Sequence, residues 1–138
     1  MGKKQIYITD SDAKRLSELI KVARNFGKED EVYLRDLEEE LNRGKVVESK
    51  TIPKNVVTMN SKIRIKNLNT KEEMIFQLVF PDDVDSSQDK ISVLAPIGTA
   101  VIGYKVEDII EWKVPVGLAR LKIEEILYQP EAVGDYHL

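Results

Sequence analysis

The spacing of apolar residues changes along this chain, from a helical period to an alternating one, and this change limits the folds that the chain can adopt. Between residues 13 and 41 apolar side chains recur at helical spacing, which predicts amphipathic helices. Between residues 63 and 123 they mostly alternate with polar side chains, which predicts half-buried strands. The stretch from Lys45 to Asn55 has no clear period, so we interpret it as a linker. The sequence therefore predicts an α+β protein with a helical part, residues 1–47, and a sheet-forming part, residues 48–138.

Local signals mark the ends of two predicted helices. Residues 9–12, Thr-Asp-Ser-Asp, supply N-cap oxygens and negative charge at the start of the first helix, and Gly27 suits its C-terminal cap. The second helix is predicted from about Asp30 to Arg43. Two short helices with so tight a connection pack antiparallel. The residues alone leave open whether this hairpin lies against the sheet part or projects from it as a finger.

The second part of the chain predicts an antiparallel sheet with one short helix across it. The run from Met74 to Phe80 is interrupted only by Gln77, so we expect a central strand covered on both faces. Pro96 fits the first turn of a short helix that Gly103 closes. A phase slip at Glu125–Ile126 indicates a bulge or the end of a strand. The other predicted strands lie around residues 62–66 and 91–93 and over 110–114 and 119–123, the last two joined by a turn at 115–117.

Composition narrows the chemistry that the chain can carry out. The chain has no cysteine, which excludes disulfides, thiolate catalysis and Cys-based metal sites. Its one histidine, His137, lies next to the C-terminus, where a general base is poorly positioned. No stretch has the apolar length of a membrane span or a signal peptide, so we expect a cytoplasmic protein without membrane contact. The formal net charge of -3 gives no general attraction to nucleic acid.

Four groups of side chains are candidates for a site, and each has a simpler structural role. Glu29, Asp30 and Glu31 can hold Mg²⁺ weakly, but acids at a helix N-terminus also stabilise its dipole. Trp112 can floor a ligand pocket, but an aromatic on the inward side of a strand is more often core. Two further groups are expected to be solvated: the loop acids Asp82, Asp83, Asp85 and Asp89, and the basic strand residues Lys62, Arg64 and Lys66.

The segment over residues 91–103, ISVLAPIGTAVIG, joins a strand, a proline-started helix and a closing glycine in one compact surface feature. This suggests a binding module rather than a reaction centre. The segment resembles the C-terminal signature of the bacterial Gre transcript-cleavage factors, which is roughly I-S-x-x-S-P-I-x-x-A-L-I-G. Ala95 stands where that family usually has serine, and Val101 where it usually has leucine. The matching residues are Ile91, Ser92, Pro96, Ile97, Ala100, Ile102 and Gly103.

Two further segments resemble the Rnk family, Gre relatives named regulators of nucleoside diphosphate kinase, in which the hairpin is shortened. They are VVTMNS, residues 56–61, and YQPEAVGDYHL, residues 128–138. The resemblance implies an FKBP-like C-terminal domain behind a short antiparallel coiled coil. It also implies binding to RNA polymerase near the secondary channel, in competition with Gre factors. DNA and RNA are then contacted only through the polymerase, and no cofactor is implied.

The resemblance also points to a docking site. In the Gre family the loop that corresponds to Ala95, Pro96, Ile97 and Gly98 faces the rim of the channel, so these four residues are the predicted contact with polymerase. Pro96 stiffens the loop in this interpretation, and Ile97 supplies a small apolar anchor. The alternative is that Ile97 belongs to the core and Pro96 merely begins a helix.

The tip of the hairpin departs from the Gre pattern. Gre factors place an acidic pair, D-x-x-E, after a glycine at the tip of a long coiled coil, where it helps to hold a catalytic Mg²⁺ in the polymerase. Counting from Gly27, this chain has Lys28 at the aspartate position and Glu31 at the glutamate position, and its hairpin is far shorter. We therefore expect no metal at the tip, which consists of Lys28, Glu29, Asp30 and Glu31, and no enzymatic activity.

Three alternatives remain open from the sequence. One is an active cleavage-stimulating factor that uses Glu29, Asp30 and Glu31. Another is a prolyl isomerase or chaperone-like domain on the FKBP-like fold, with Trp112 in its pocket. The third is direct control of nucleoside diphosphate kinase.

Overall fold

The structure, a computed structural model, describes residues 5–27, 31–114 and 117–136, with side chains at 112–114 left out. Three α-helices and seven strands lie along this part of the chain, and the α+β class is confirmed. The FKBP-like and coiled-coil descriptions stay predictions, as does the division after residue 47. In chain order the elements are β1 (Tyr7–Thr9), α1 (Asp10–Phe26), α2 (Glu31–Arg43), β2 (Lys45–Val47), β3 (Lys62–Asn67), β4 (Glu73–Val79), β5 (Lys90–Ser92), α3 (Pro96–Val101), β6 (Ile109–Val114) and β7 (Gly117–Tyr128).

Capping explains where α1 begins and ends. The Thr9 hydroxyl accepts a hydrogen bond from the Asp12 backbone N–H at 3.0 Å, which satisfies one of the free donors of the first turn. Gly27 ends the helix in the left-handed region, at a φ of 62°. The Arg24 guanidinium, in the last turn, lies 2.8 Å from the carboxylate of Glu31, the first residue of α2. The two helices therefore run antiparallel, as predicted.

The predicted linker is wrong in its first three residues. Lys45–Val47 is β2, which pairs in parallel with β1 as a separate two-stranded sheet. Gly44 allows this return of the chain, because a Cβ atom there would lie only 3.0 Å from the Ile8 side chain. A strand of three residues is too short to show a period, and this is why the sequence did not reveal it.

The main sheet has five strands in the order β5-β4-β3-β7-β6, so β4 lies between two strands, as expected of an inner strand, but the prediction that both its faces are covered is wrong for residues 73–75, which are exposed. The central strand is β3. The short strand β5 pairs only with residues 77–79 of β4, and in parallel, so the sheet is mostly antiparallel and not wholly so. The first half of β4 is left without a neighbour on that side, and Met74 and Ile75 are each 42% exposed.

The predicted irregularity in the last strand is confirmed. The pairing of β7 with β3 shifts register twice, between Lys62 and Ile63 and between Arg64 and Ile65. These shifts flank Glu125 and Ile126 on the partner strand, and β7 continues past them to Tyr128. Bulges of this kind increase twist and re-aim the following residues.

One hydrophobic core runs through both parts of the chain. It contains Leu16 and Leu34 from the hairpin, together with Met59 and Ile63 from the sheet part. At the other end of the hairpin, Phe26 is 70% exposed. The base of the hairpin therefore packs on the sheet part while its end stands in solvent. None of the helices that the structure describes is long and apolar enough to cross a membrane.

Candidate functional site

The predicted docking segment forms the N-terminal end of α3, and its four residues divide between surface and interior. Pro96 is exposed and Ala95 is half-buried, whereas Ile97 and Gly98 are buried. The Thr99 hydroxyl donates to the Val93 carbonyl at 2.7 Å and ties the helix to the preceding chain. A Cβ atom at Gly98 would stand 2.3 Å from the Ser92 carbonyl oxygen, so only glycine lets the helix lie this close.

Ile97 is both a core residue and the wall of an open pocket. The pocket, of about 340 Å³, lies between α3 and the inward face of the sheet. It opens where the start of β4 lacks a neighbouring strand and leaves Met74 exposed. Its lining is apolar on the floor and acidic at the rim: Ile65, Asn67, Glu72, Glu73, Met74, Ile97 and Leu121. The surface around the docking segment thus combines an exposed proline with a small apolar recess.

The hairpin tip is described only in part. Lys28, Glu29 and Asp30 lie outside the described residues. The Glu31 carboxylate is engaged by Arg24, and the same guanidinium also reaches Glu38 at 3.3 Å. The hydrogen bonds that Arg24 donates to Glu31, chiefly, and to Glu38 raise the pKa of Arg24, which stays charged. Within the described ranges no group of three acidic or histidine side chains is placed to hold a metal ion.

The end of the hairpin is more apolar than the sequence analysis indicated. Phe26 is 70% exposed, and Val22, Val32 and Tyr33 are each exposed by at least two fifths. Val22 and Phe26 are four positions apart and therefore lie on the same face of α1. This spacing was the signal in the sequence that could have predicted an exposed apolar patch. The predicted apolar stripe of α1 lies on another face of the helix and does not include these two residues.

Two basic residues of the sheet, Arg64 on β3 and Lys122 on β7, have carboxylate neighbours on its outer face. The Arg64 guanidinium lies 2.8 Å from Glu125 and 3.8 Å from Glu73. The Lys122 ammonium on β7 lies 3.0 Å from Glu107. A surface compensated in this way offers little net charge to a phosphate backbone. The Trp112 side chain and His137 lie outside the described residues.

A buried polar cluster joins the hairpin to the sheet part, and we call it the junction cluster: Asp12, Arg15, Thr58, Met59, Ser61 and Glu131. The Asp12 carboxylate, 1% exposed, accepts from the Met59 backbone N–H at 3.0 Å and from Arg15 Nη2 at 2.9 Å. Thr58 Oγ1 donates to Glu131 Oε1 at 2.7 Å. Burial raises the pKa of both carboxyls, since the charged form loses its hydration.

The C-terminal segment is fastened on both sides of the junction cluster. Gln129 Nε2 donates to the carbonyl oxygens of Pro53, at 2.9 Å, and Val56, at 2.7 Å. The Tyr128 hydroxyl donates to Asp135 at 2.5 Å. The two segments VVTMNS and YQPEAVGDYHL therefore meet in space, although sequence reasoning assigned them no chemistry. The available signal was the pair of hydroxyl residues, Thr58 and Ser61, inside an otherwise apolar segment.

A sheet crossed by the α3 segment, behind a short helical hairpin, is the architecture of a Gre-type factor. The family described as "Transcription elongation factor, GreA/GreB, C-term" matches residues 52–128. The GreA elongation factor of Acetivibrio thermocellus is 34% identical over 128 residues, which are 82% of this chain and 80% of that one. A solved GreA/GreB elongation factor from Nitrosomonas europaea superposes with a TM-score of 0.70 at 41% identity, covering 91% of this chain and 100% of that one.

The N-terminal part of the chain shows which branch of this family the chain resembles. The family described as "Rnk N-terminus" matches residues 4–47. The regulator of nucleoside diphosphate kinase of Escherichia coli K12 is 38% identical over 140 residues, covering 100% of both chains. The chain belongs to the GreA/GreB family of transcription elongation factors, as a member of its Rnk branch, and the predicted resemblance is confirmed.

Proposed function

We propose that this protein is a non-enzymatic regulator that binds RNA polymerase near the secondary channel and does not stimulate transcript cleavage. The observation that carries the proposal is the Gre-type C-terminal domain over residues 52–128. Its signature segment brings an exposed proline to the surface at the start of α3. By occupying the channel entrance, the protein competes there with Gre factors.

The proposed contact is made by the exposed part of the docking segment. Ala95 and Pro96 face the partner, while Ile97 and Gly98 support them from below. Because Pro96 fixes its own backbone angle, little conformational entropy is lost when this surface binds. The neighbouring pocket gives an apolar side chain of the partner a place to lie.

The absence of cleavage stimulation is proposed from the charge and length of the hairpin. Glu31 is held by Arg24, so a metal ion has to displace an arginine to reach it. Lys28 stands where the Gre pattern has an aspartate. At 1.5 Å per residue the 17 residues of α1 span only about 26 Å. The hairpin then enters the channel without carrying an ion to the active centre.

Binding to purified polymerase core enzyme tests the docking surface. Pro96→Glu places a charge on the contact, and a glutamate is well tolerated in the first turn of a helix. We expect this variant to bind at least tenfold more weakly. Val84→Glu, at a 50% exposed position on another loop, is the matched control and should bind like the unmodified protein. Equal affinities of Pro96→Glu and the unmodified protein would contradict the proposed contact.

The name of the Escherichia coli relative favours a second candidate, direct contact with nucleoside diphosphate kinase. Affinity capture with purified polymerase and purified kinase in the same mixture separates the two. Recovery of polymerase alone supports the first proposal, and recovery of the kinase alone supports the second.

A further inference from the structure

The hairpin meets the sheet part through a buried polar contact at the base of α1. Asp12 lies in the first turn, and its carboxylate accepts the Met59 backbone N–H at 3.0 Å. The helix extends about 21 Å beyond Asp12, so a tilt of about 10° at the base moves its end by about 4 Å. A contact that fixes the Met59 backbone therefore helps to fix the direction of α1.

The Met59 backbone belongs to a tight turn that hydroxyl groups hold in place. The Ser61 backbone N–H donates to the Thr58 carbonyl at 3.1 Å, and the Thr58 backbone N–H donates to Ser61 Oγ at 3.0 Å. The two hydroxyls lie 2.9 Å apart. Since the Thr58 hydroxyl gives its one proton to Glu131, it accepts from Ser61. Glu131 thus sets the orientation of both hydroxyls in the turn.

We propose that the C-terminal segment, residues 129–135, holds the hairpin in one direction relative to the sheet, with Glu131 as the positioning residue that acts through Thr58. The segment is suited to this because its own ends are fastened, through Gln129 to the chain before the turn and through Asp135 to Tyr128. This assigns a role to both Rnk-like segments. Only the functional consequence, the angle at which the hairpin enters polymerase, rests on the proposed function.

Glu131 interacts electrostatically with the other charged residues of the junction cluster. Asp12 and Glu131 repel each other, and Arg15 attracts both carboxylates. The Arg15 guanidinium also lies 4.8 Å from the centre of the Phe80 ring, so it is anchored to the sheet part as well as to α1. Without the bond from Thr58, the Glu131 carboxylate regains hydration by turning towards water. The turn below Asp12 then keeps its backbone hydrogen bonds to Leu78 but loses the hydroxyl contact that orients Thr58 and Ser61.

Distance measurements on the free protein test the proposal. The chain has no cysteine, so Val22→Cys with Leu118→Cys gives two unique positions for spin labels, at side chains that are 49% and 53% exposed. We expect Glu131→Ala to shift or broaden the label distance by about 3 Å, because Val22 lies about 15 Å along α1 from Asp12 and moves when the helix tilts by about 10°. Glu131→Gln keeps an oxygen for the Thr58 hydroxyl and should restore the original distance.

Two further variants keep the test decisive. Thr58→Val removes the hydroxyl that donates to Glu131 at nearly constant side-chain volume, and it should shift the label distance as Glu131→Ala does. It therefore provides the test even if Glu131→Ala does not fold. Glu125→Ala removes an exposed carboxylate from an ion pair with Arg64 and should leave the distance unchanged. An unchanged distance in folded Glu131→Ala or Thr58→Val, or an equal shift in Glu125→Ala, overturns the proposal. Since polymerase is absent from the experiment, a failure of polymerase binding leaves this result standing.

Discussion

The Arg43 guanidinium at the end of α2 reaches Tyr104, 61 positions later in the chain. Its Nη2 donates to the Tyr104 hydroxyl at 2.9 Å, and the guanidinium carbon lies 5.7 Å from the ring centre. Arg43 also donates to Glu40 at 2.6 Å. The two ends of the hairpin are thus fastened separately, α1 through Asp12 and α2 through Arg43.

The Tyr104 hydroxyl should contribute measurably to stability. Tyr104→Phe removes the acceptor for Arg43 but keeps the buried ring, so we expect the free energy of unfolding to fall by about 1 kcal/mol. Urea unfolding followed by circular dichroism measures this. Tyr33→Phe, at a position 42% exposed near the hairpin end, is the control and should change stability by less than about 0.5 kcal/mol. Equal effects of the two substitutions would show that the bond contributes nothing.

The close approach of α3 predicts a steric effect at Gly98. Gly98→Ala brings a methyl group to within 2.3 Å of the Ser92 carbonyl oxygen, so α3 has to move, at a cost of about 1–3 kcal/mol. Gly27→Ala, with no atom within 4 Å of the added carbon, costs about 1 kcal/mol through its backbone angle alone. Because α3 carries Pro96, Gly98→Ala should also weaken polymerase binding, and Gly27→Ala should not. Unchanged binding in Gly98→Ala would contradict this.

Local signals explain why some elements were predictable and others were not. Thr9, Gly27 and Pro96 act through residues within one helical turn, so the sequence predicted α1 and α3 with nearly correct ends. The neighbours of a strand are not local. The apolar run 74–80 predicts an inner strand, but it does not reveal that β5 is too short to pair with the first half of that strand.

For the candidate site, the sequence predicted the segment but not the contacts between distant residues. Family resemblance pointed to the proposed docking segment, but the division into an exposed Pro96 and a buried Ile97 depends on how α3 packs on the sheet. The junction cluster brings Asp12 to Met59, 47 positions away, and Thr58 to Glu131, 73 positions away. Contacts over such separations leave no periodic trace in a single sequence.

The two carboxyls of the junction cluster, Asp12 buried and Glu131 half-buried, predict a pH dependence of stability. Burial raises the pKa of Asp12 above its ordinary value of 3.8 and that of Glu131 above 4.5. A raised folded-state pKa means a contribution to stability that is fully present below the ordinary value and is lost as pH rises through the folded value. Asp12→Asn cannot ionise, so it should become more stable relative to the unmodified protein as pH rises from about 4 to 7.

Urea unfolding of the two proteins at several pH values measures that difference. Asp10→Asn, two residues earlier in the same helix and exposed, is the matched control for a general change in net charge. A difference between Asp12→Asn and the unmodified protein that stays constant from pH 4 to 7 would contradict the assignment.

The length of the hairpin predicts that restoring its charges will not restore cleavage. Lys28→Asp recreates the D-x-x-E spacing with Glu31, and Arg24→Ala releases Glu31 from its ion pair. If the reach of about 26 Å is limiting, the double variant still leaves transcripts in stalled elongation complexes at full length. Electrophoresis of labelled transcripts, with an active Gre factor as the positive control, measures this. Shortened transcripts with the double variant would mean that charge alone, and not reach, separates this protein from the cleavage factors.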